Sequence, residues 1–179
     1  MDIDKEINLR EGCILIVDDE KDIQELLMEC LSSLTPNILI ASNGEEALQT
    51  LMSNKINVIL SDIKMPIKSG LQLLADVREM GILVPFVIVT AHADKQSLME
   101  AIRLDATDFL DKPFHFGDVV KIMTRALQLG LMQARSDKHI EQVYNASNLS
   151  IDEIARAKKF RKVMARLRFQ SQIFKTKVD

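Results

Sequence analysis

Cysteine is scarce in this chain of 179 residues, with only Cys13 and Cys30 present. One falls in a predicted strand and the other in a predicted helix. That suits small buried residues in a reducing compartment and argues against a disulfide framework or a thiolate metal site. Long apolar runs are missing too. No segment approaches the roughly 18 apolar residues of a membrane helix, and Met1 to Glu11 is too short, polar and acidic for a signal peptide. A cytoplasmic protein without a membrane span is therefore expected. Internal repeats, low-complexity stretches and a glycine-rich nucleotide loop are absent as well, which disfavours repeat arrays and nucleotide-dependent enzymes.

What is there is an ordinary globular composition, 47% hydrophobic and 27% charged, long enough for one buried domain with a small appendage. The net charge of −3 hides an asymmetry. Residues 1–130 hold 12 Lys and Arg against 21 Asp and Glu, a balance of −9. Residues 131–179 hold 11 against 5, a balance of +6. An acidic body is followed by a basic tail.

Short apolar runs recur along the body. Cys13 to Val17, Asn37 to Ala41, Asn57 to Ser61, Pro85 to Val89 and Thr107 to Leu110 have the length and β-branched content of strands covered on both faces. Helical spacing fills the intervals. Glu20 to Leu34 carries Ile23, Leu26, Leu27, Cys30, Leu31 and Leu34 as its apolar stripe. A second helix follows Asn43-Gly44, a third starts after Gly70 and stops near Gly81, a fourth covers Asp94 to Leu104 and a fifth Phe116 to Leu129. Strands alternating with helices imply right-handed crossovers and a doubly wound parallel sheet. The flavodoxin-like order 2-1-3-4-5 puts the first and third strands side by side.

The chemistry-bearing residues fall where those strands end. Asp18 and Asp19 follow the first, Asp62 the third and Thr90 the fourth, while Lys112-Pro113 follows the fifth. Ligands of open α/β sheets bind at such carboxyl ends, so three carboxylates, a hydroxyl and an ammonium are expected in one pocket. Acids so placed repel one another unless a cation joins them, and oxygen-only ligation suits Mg2+ (or Mn2+). A Lys, a Thr and a divalent ion around one carboxylate are equipment for handling a phosphoryl group.

In these residues the chain resembles the receiver domain of bacterial two-component response regulators (the CheY-like family) over about residues 10–130. The resemblance is carried by Asp18-Asp19, by Asp62-Ile-Lys-Met-Pro66 with Gly70 beyond it, by Thr90-Ala91, and by Phe109-Leu-Asp-Lys-Pro113-Phe114. It implies that Asp62 accepts a phosphoryl group from a histidine kinase, a phosphotransfer protein or a small phosphodonor. Asp19, Asp62 and the backbone carbonyl of Lys64 would hold the metal, with Asp18 helping. Thr90, the Ala91 backbone N–H and Lys112 would bind the phosphoryl group, and the Lys112–Pro113 peptide would be cis. Thr90 and Phe109 would form the switch that reshapes the face made by the fourth helix, fifth strand and fifth helix. Beyond taking up and slowly losing its own phosphoryl group, no enzymatic activity is implied. Leu104-Asp105-Ala106 departs from the Gly-Ala pair common before the fifth strand, so a different turn is expected there.

The layout expected is a flexible N-terminus (1–11), a receiver (12–130) and a helical basic extension (131–179). Gln128 to Asn145 can extend the fifth helix, with Gly130 and the polar run Ser136-Asp-Lys-His139 counting against it. Ser150-Ile-Asp-Glu153 reads as a capping box opening another helix. Two apolar stripes on that helix favour dimerisation or docking on a downstream protein partner. Lys158, Lys159, Arg161, Lys162, Arg166 and Arg168 are its candidate contact residues. DNA binding through the same cations, an acidic membrane surface, and disorder until a partner arrives remain as alternatives. The overall expectation is a stand-alone signalling switch, with a DNA-binding regulator or a phosphorelay shuttle as the other possibilities.

Overall fold

The computed structural model describes residues 7–91 and 95–146. The candidate contacts at Lys158, Lys159, Arg161, Lys162, Arg166 and Arg168 and the capping box at Ser150 lie outside the described residues. So does His92.

After a 3-10 turn at Leu9–Glu11, the elements run β1 (Cys13–Val17), α1 (Lys21–Leu31), β2 (Asn37–Ala41), α2 (Gly44–Ser53), β3 (Val58–Asp62), α3 (Gly70–Glu79), β4 (Phe86–Ala91), α4 (Lys95–Arg103), β5 (Asp108–Lys112) and α5 (Phe116–Ala146). The five strands form one parallel sheet, as the alternating pattern predicts, in the order β2-β1-β3-β4-β5, the flavodoxin-like one of the standard solutions. Two apolar layers cover it. Leu15, Ile59, Leu74, Phe86 and Ile88 belong to one, and Ile14, Ile16, Leu27, Leu60 and Met123 to the other, all essentially inaccessible to water. Each such side chain contributes about 1.5–3 kcal/mol through burial.

Local chemistry moves several predicted boundaries. The first helix ends at Leu31, short of Leu34, because the Ser32 and Ser33 hydroxyls donate back to the carbonyls of Glu29 and Cys30 and compete with helix continuation. Its buried line is Gln24, Leu27 and Leu31, whereas Leu26, placed on the apolar stripe by spacing, is 39% exposed. Cys13 and Cys30 are half-buried rather than sealed in the core.

Two helix ends repeat one motif. Past α3, Gly81 adopts φ 70° while the Ile82 and Gly81 amides donate to the Val77 and Arg78 carbonyls. Past α4, Asp105 adopts φ 60° while the Ala106 and Asp105 amides donate to the Ala101 and Ile102 carbonyls. Asp105 therefore keeps the turn that a glycine would make, and the expected departure is one of side chain only.

The fifth helix continues through Gly130 to Ala146. Gly130 is buried, and a Cβ there would collide with the carbonyl of Asn57, just before β3, so the missing side chain permits close packing instead of ending the helix. By internal contacts the chain divides into Met1–Ala134 and Arg135–Asp179. Within the second unit, residues 135–146 are described, and they are helical.

Candidate functional site

β1 and β3 are neighbours, with Val17 opposite Ser61, so Asp18 and Asp62 emerge side by side from one end of the sheet. Both are buried, at 1% and 8% exposure. Their polar contacts follow from the strand ends. The Asp18 amide donates to the Ala41 carbonyl at 3.2 Å, and its Oδ1 accepts the Glu20 N–H at 2.9 Å. Asp62 Oδ2 accepts the Lys64 N–H at 2.8 Å, which folds the start of the following loop around the carboxylate.

Lys112, the last residue of β5, spans the gap. Its Nζ lies 2.8 Å from Asp62 Oδ1 and 3.4 Å from Asp18 Oδ2. The Lys112–Pro113 peptide is cis. Burial pushes the Asp18 carboxyl above its ordinary range, reinforced by the Asp62 charge and opposed by the Glu20 amide and Lys112. Burial by itself would lower the Lys112 ammonium, but the hydrogen bond and charge of Asp62, with Asp18 beside it, raise it overall.

Thr90 is buried one residue beyond Val89, the pairing partner of Asp62. Ala91 pairs with Lys112, and Thr90 with Asp111. Phe109, two residues before Asp111, is half-buried against the core layer that contains Ile88. The period of two in a strand therefore sets Thr90 and Phe109 on one face of the sheet.

The three-acid cluster expected from sequence is assembled only in part. Asp18 and Asp62 converge on Lys112, while Asp19 is exposed. Among the described residues no three His, Cys, Asp or Glu side chains form a ready metal cage. The donor chemistry nevertheless fits a hard divalent ion. Two buried carboxylates share the Lys112 ammonium, their ligand atoms are all oxygens, and Asp19 adds a further carboxylate at the same strand end.

Gly70, already part of the motif, shapes this site together with Ser69 and Gln24, which the motif does not include. A Cβ on Gly70 would collide with the Asp62 carbonyl, and the Gly70 amide donates to Ile63 at 3.0 Å, so this glycine lets α3 start against the site. Ser69 caps α3 in a reciprocal pair with Gln72. Gln24 donates to the Asp18 carbonyl. Its position three and seven residues before Leu27 and Leu31 is the signal that places it on the buried face.

Comparison with known proteins agrees with this geometry. The model of the response regulator receiver domain matches residues 14–124. The chain is 34% identical over 119 residues to the DNA-binding transcriptional regulator NtrC of Escherichia coli (strain K12), covering 66% of this chain and 25% of that protein. It is 33% identical over 134 residues to the regulatory protein AtoC of the same organism, covering 75% and 29%. The match thus spans only about a quarter of the length of these relatives. The receiver domain of NtrX from Brucella abortus superposes with a TM-score of 0.60 at 30% identity, covering 64% of this chain and 98% of that one. A parallel sheet that brings Asp18, Asp62 and Lys112 together at its carboxyl end, and a family match across most of that sheet, lead to one assignment: the chain belongs to the response regulator receiver domain family.

Proposed function

We propose that the protein is a cytoplasmic phosphorylation switch in which Asp62 accepts a phosphoryl group from a histidine kinase or a phosphotransfer protein. The observation that carries this reading is the buried Asp62 carboxylate, 2.8 Å from the Lys112 ammonium and 2.8 Å from the Lys64 amide. An oxygen of Asp62 attacks phosphorus in line, the bond from phosphorus to the donor's imidazole nitrogen breaks, and an acyl phosphate forms. Lys112 then passes from the Asp62 carboxylate to a phosphoryl oxygen, which keeps the new charge paired. Asp18, Asp19, Asp62 and the Lys64 carbonyl would hold Mg2+ (or Mn2+), which when bound neutralises charge on the phosphoryl oxygens.

The phosphoryl group adds nearly two negative charges and three acceptor oxygens. The Thr90 hydroxyl and the Ala91 N–H answer it as donors. Movement of Thr90 opens space for Phe109 on the same face of the sheet, and the surface of α4, β5 and α5 shifts toward a form that binds a downstream protein or a second copy of the chain. Slow loss of the phosphoryl group to water resets the switch.

A second output reading follows from the relatives, whose names describe transcriptional regulators. In it the basic residues after 130 contact DNA phosphates, and retardation of non-specific DNA by the full chain, weakening with salt, is the sign to seek. The test of the main reading is labelling with acetyl phosphate and Mg2+. Wild type is expected to take up label and Asp62→Asn to take up none. Equal labelling of both would remove Asp62 from its role.

A further inference from the structure

We infer that Gln24 is a positioning residue for the metal-binding acids. The inference rests on the reading of Asp18, Asp19 and Asp62 as cation ligands.

Gln24 lies on the buried face of α1 at 7% exposure. Its Nε2 donates to the backbone carbonyl of Asp18 at 2.5 Å and lies 3.5 Å from the Ser42 hydroxyl. That carbonyl belongs to the peptide joining Asp18 to Asp19. The orientation of this plane determines where the Asp19 Cα, and so its carboxylate, leaves the end of β1. Asp18 is already held through its amide by Ala41 and through its carboxylate by Glu20 and Lys112. Asp19 is exposed, and the peptide before it is fixed from inside the molecule by Gln24.

The Ser42 contact ties this peptide to a wider frame. Ser42 immediately precedes Asn43, which caps α2, and the Gly44 amide donates at 2.9 Å to the carbonyl of Lys68 in the loop that follows Asp62. Lys68 in turn pairs with Glu45 at 2.9 Å and Asp76 at 2.7 Å. The turn between β2 and α2 thus touches both acid-bearing loops, one through Gln24 and the other through Gly44 and Lys68. The spacing of the acids is fixed in advance of any ligand, which spares a cation the cost of ordering the loop.

The test is calorimetric titration of the full chain with Mg2+. Gln24→Met keeps the side-chain length and apolar packing but removes the donor. Gln24→Glu keeps the length and sets an acceptor against the Asp18 carbonyl. Leu31→Ala loosens the same buried face without touching Asp18. Both Gln24 variants are expected to bind Mg2+ about tenfold more weakly than wild type, the size typical of lost outer-shell support. Leu31→Ala is expected to lower the thermal midpoint in EDTA and leave the affinity unchanged. Wild-type affinity in both Gln24 variants would overturn the inference alone, and so would an equal loss in Leu31→Ala. A wild type that shows no binding at millimolar Mg2+ would overturn the metal-site reading along with it.

Discussion

Ile67 has a β-branched, 82% exposed side chain on a backbone with φ 67°. With the Lys68 amide bonded to the Pro66 carbonyl, Ile67 is the centre of a γ-turn with positive φ, a rare and strained conformation in which a β-branched residue is among the least tolerant. It persists because its neighbours are pinned: the Lys68 amide donates to the Pro66 carbonyl at 2.7 Å, and the Lys68 ammonium is held by Glu45 and Asp76. Ile67→Asn is therefore expected to stabilise the protein by about 0.5–1 kcal/mol, read as a higher urea midpoint, because Asn accepts a positive φ more readily than a β-branched residue. Gly70 works in the opposite sense. A side chain there meets the Asp62 carbonyl, so Gly70→Ala is expected to destabilise by about 2 kcal/mol or more and to slow acetyl phosphate labelling. The resemblance drew attention to Gly70 as part of a motif. The requirement for glycine comes from the close approach of α3 to the end of β3, which the motif does not record.

At the scale of elements, two substitutions separate local propensity from packing. In an isolated helix, alanine at position 130 would be favoured over glycine by about 1 kcal/mol. In this fold α5 lies directly against Asn57, so Gly130→Ala is expected to lower the thermal midpoint despite its better propensity. Arg78, near the end of α3, donates to the carbonyls of Ile82 and Val84 at 2.9 and 3.1 Å and to that of Asp105 at 3.0 Å. One guanidinium thus joins the turn after α3 to the turn after α4. Arg78→Ala leaves three carbonyls short of a charged donor and is expected to cost about 2–4 kcal/mol, with amide exchange around residues 101–107 accelerating first. Neither effect is written in periodicity, because both depend on contacts between segments remote in sequence. Helix and strand identity was legible for the reverse reason, since apolar spacing of 3.6 or 2 records which face an element buries.

For the molecule as a whole, the site sets a dependence on pH and metal. In the metal-free protein the Asp18 carboxyl is raised by burial, so its contribution to stability is present below the ordinary carboxylate range and is lost as pH rises through the raised value. Lys112 is also raised, and its contribution persists until pH climbs above the ordinary lysine range. In EDTA, Asp18→Asn is expected to be more stable than wild type near neutrality, with the gap closing on acidification through the Asp18 titration. Urea midpoints measured across that range give the comparison. On the proposed metal site, Mg2+ is expected to narrow that gap. At ten times its dissociation constant it would stabilise wild type by about 1.4 kcal/mol through mass action, while the Asp18→Asn variant, on the proposed role of Asp18 as a ligand, gains less at the same concentration.

By itself the sequence determined the alternation of five strands with five helices and the placement of Asp18, Asp19, Asp62, Thr90 and Lys112 at strand ends. Each of these follows from burial periodicity, chain connectivity and handedness, which are properties of the chain read in order. Only the tertiary structure decided that Asp18 and Asp62 share Lys112 while Asp19 stays exposed, that Gln24 reaches the Asp18 carbonyl, and that α5 runs through Gly130. Those outcomes depend on distances of a few ångströms between segments far apart in the sequence, and one-dimensional order carries no such distances.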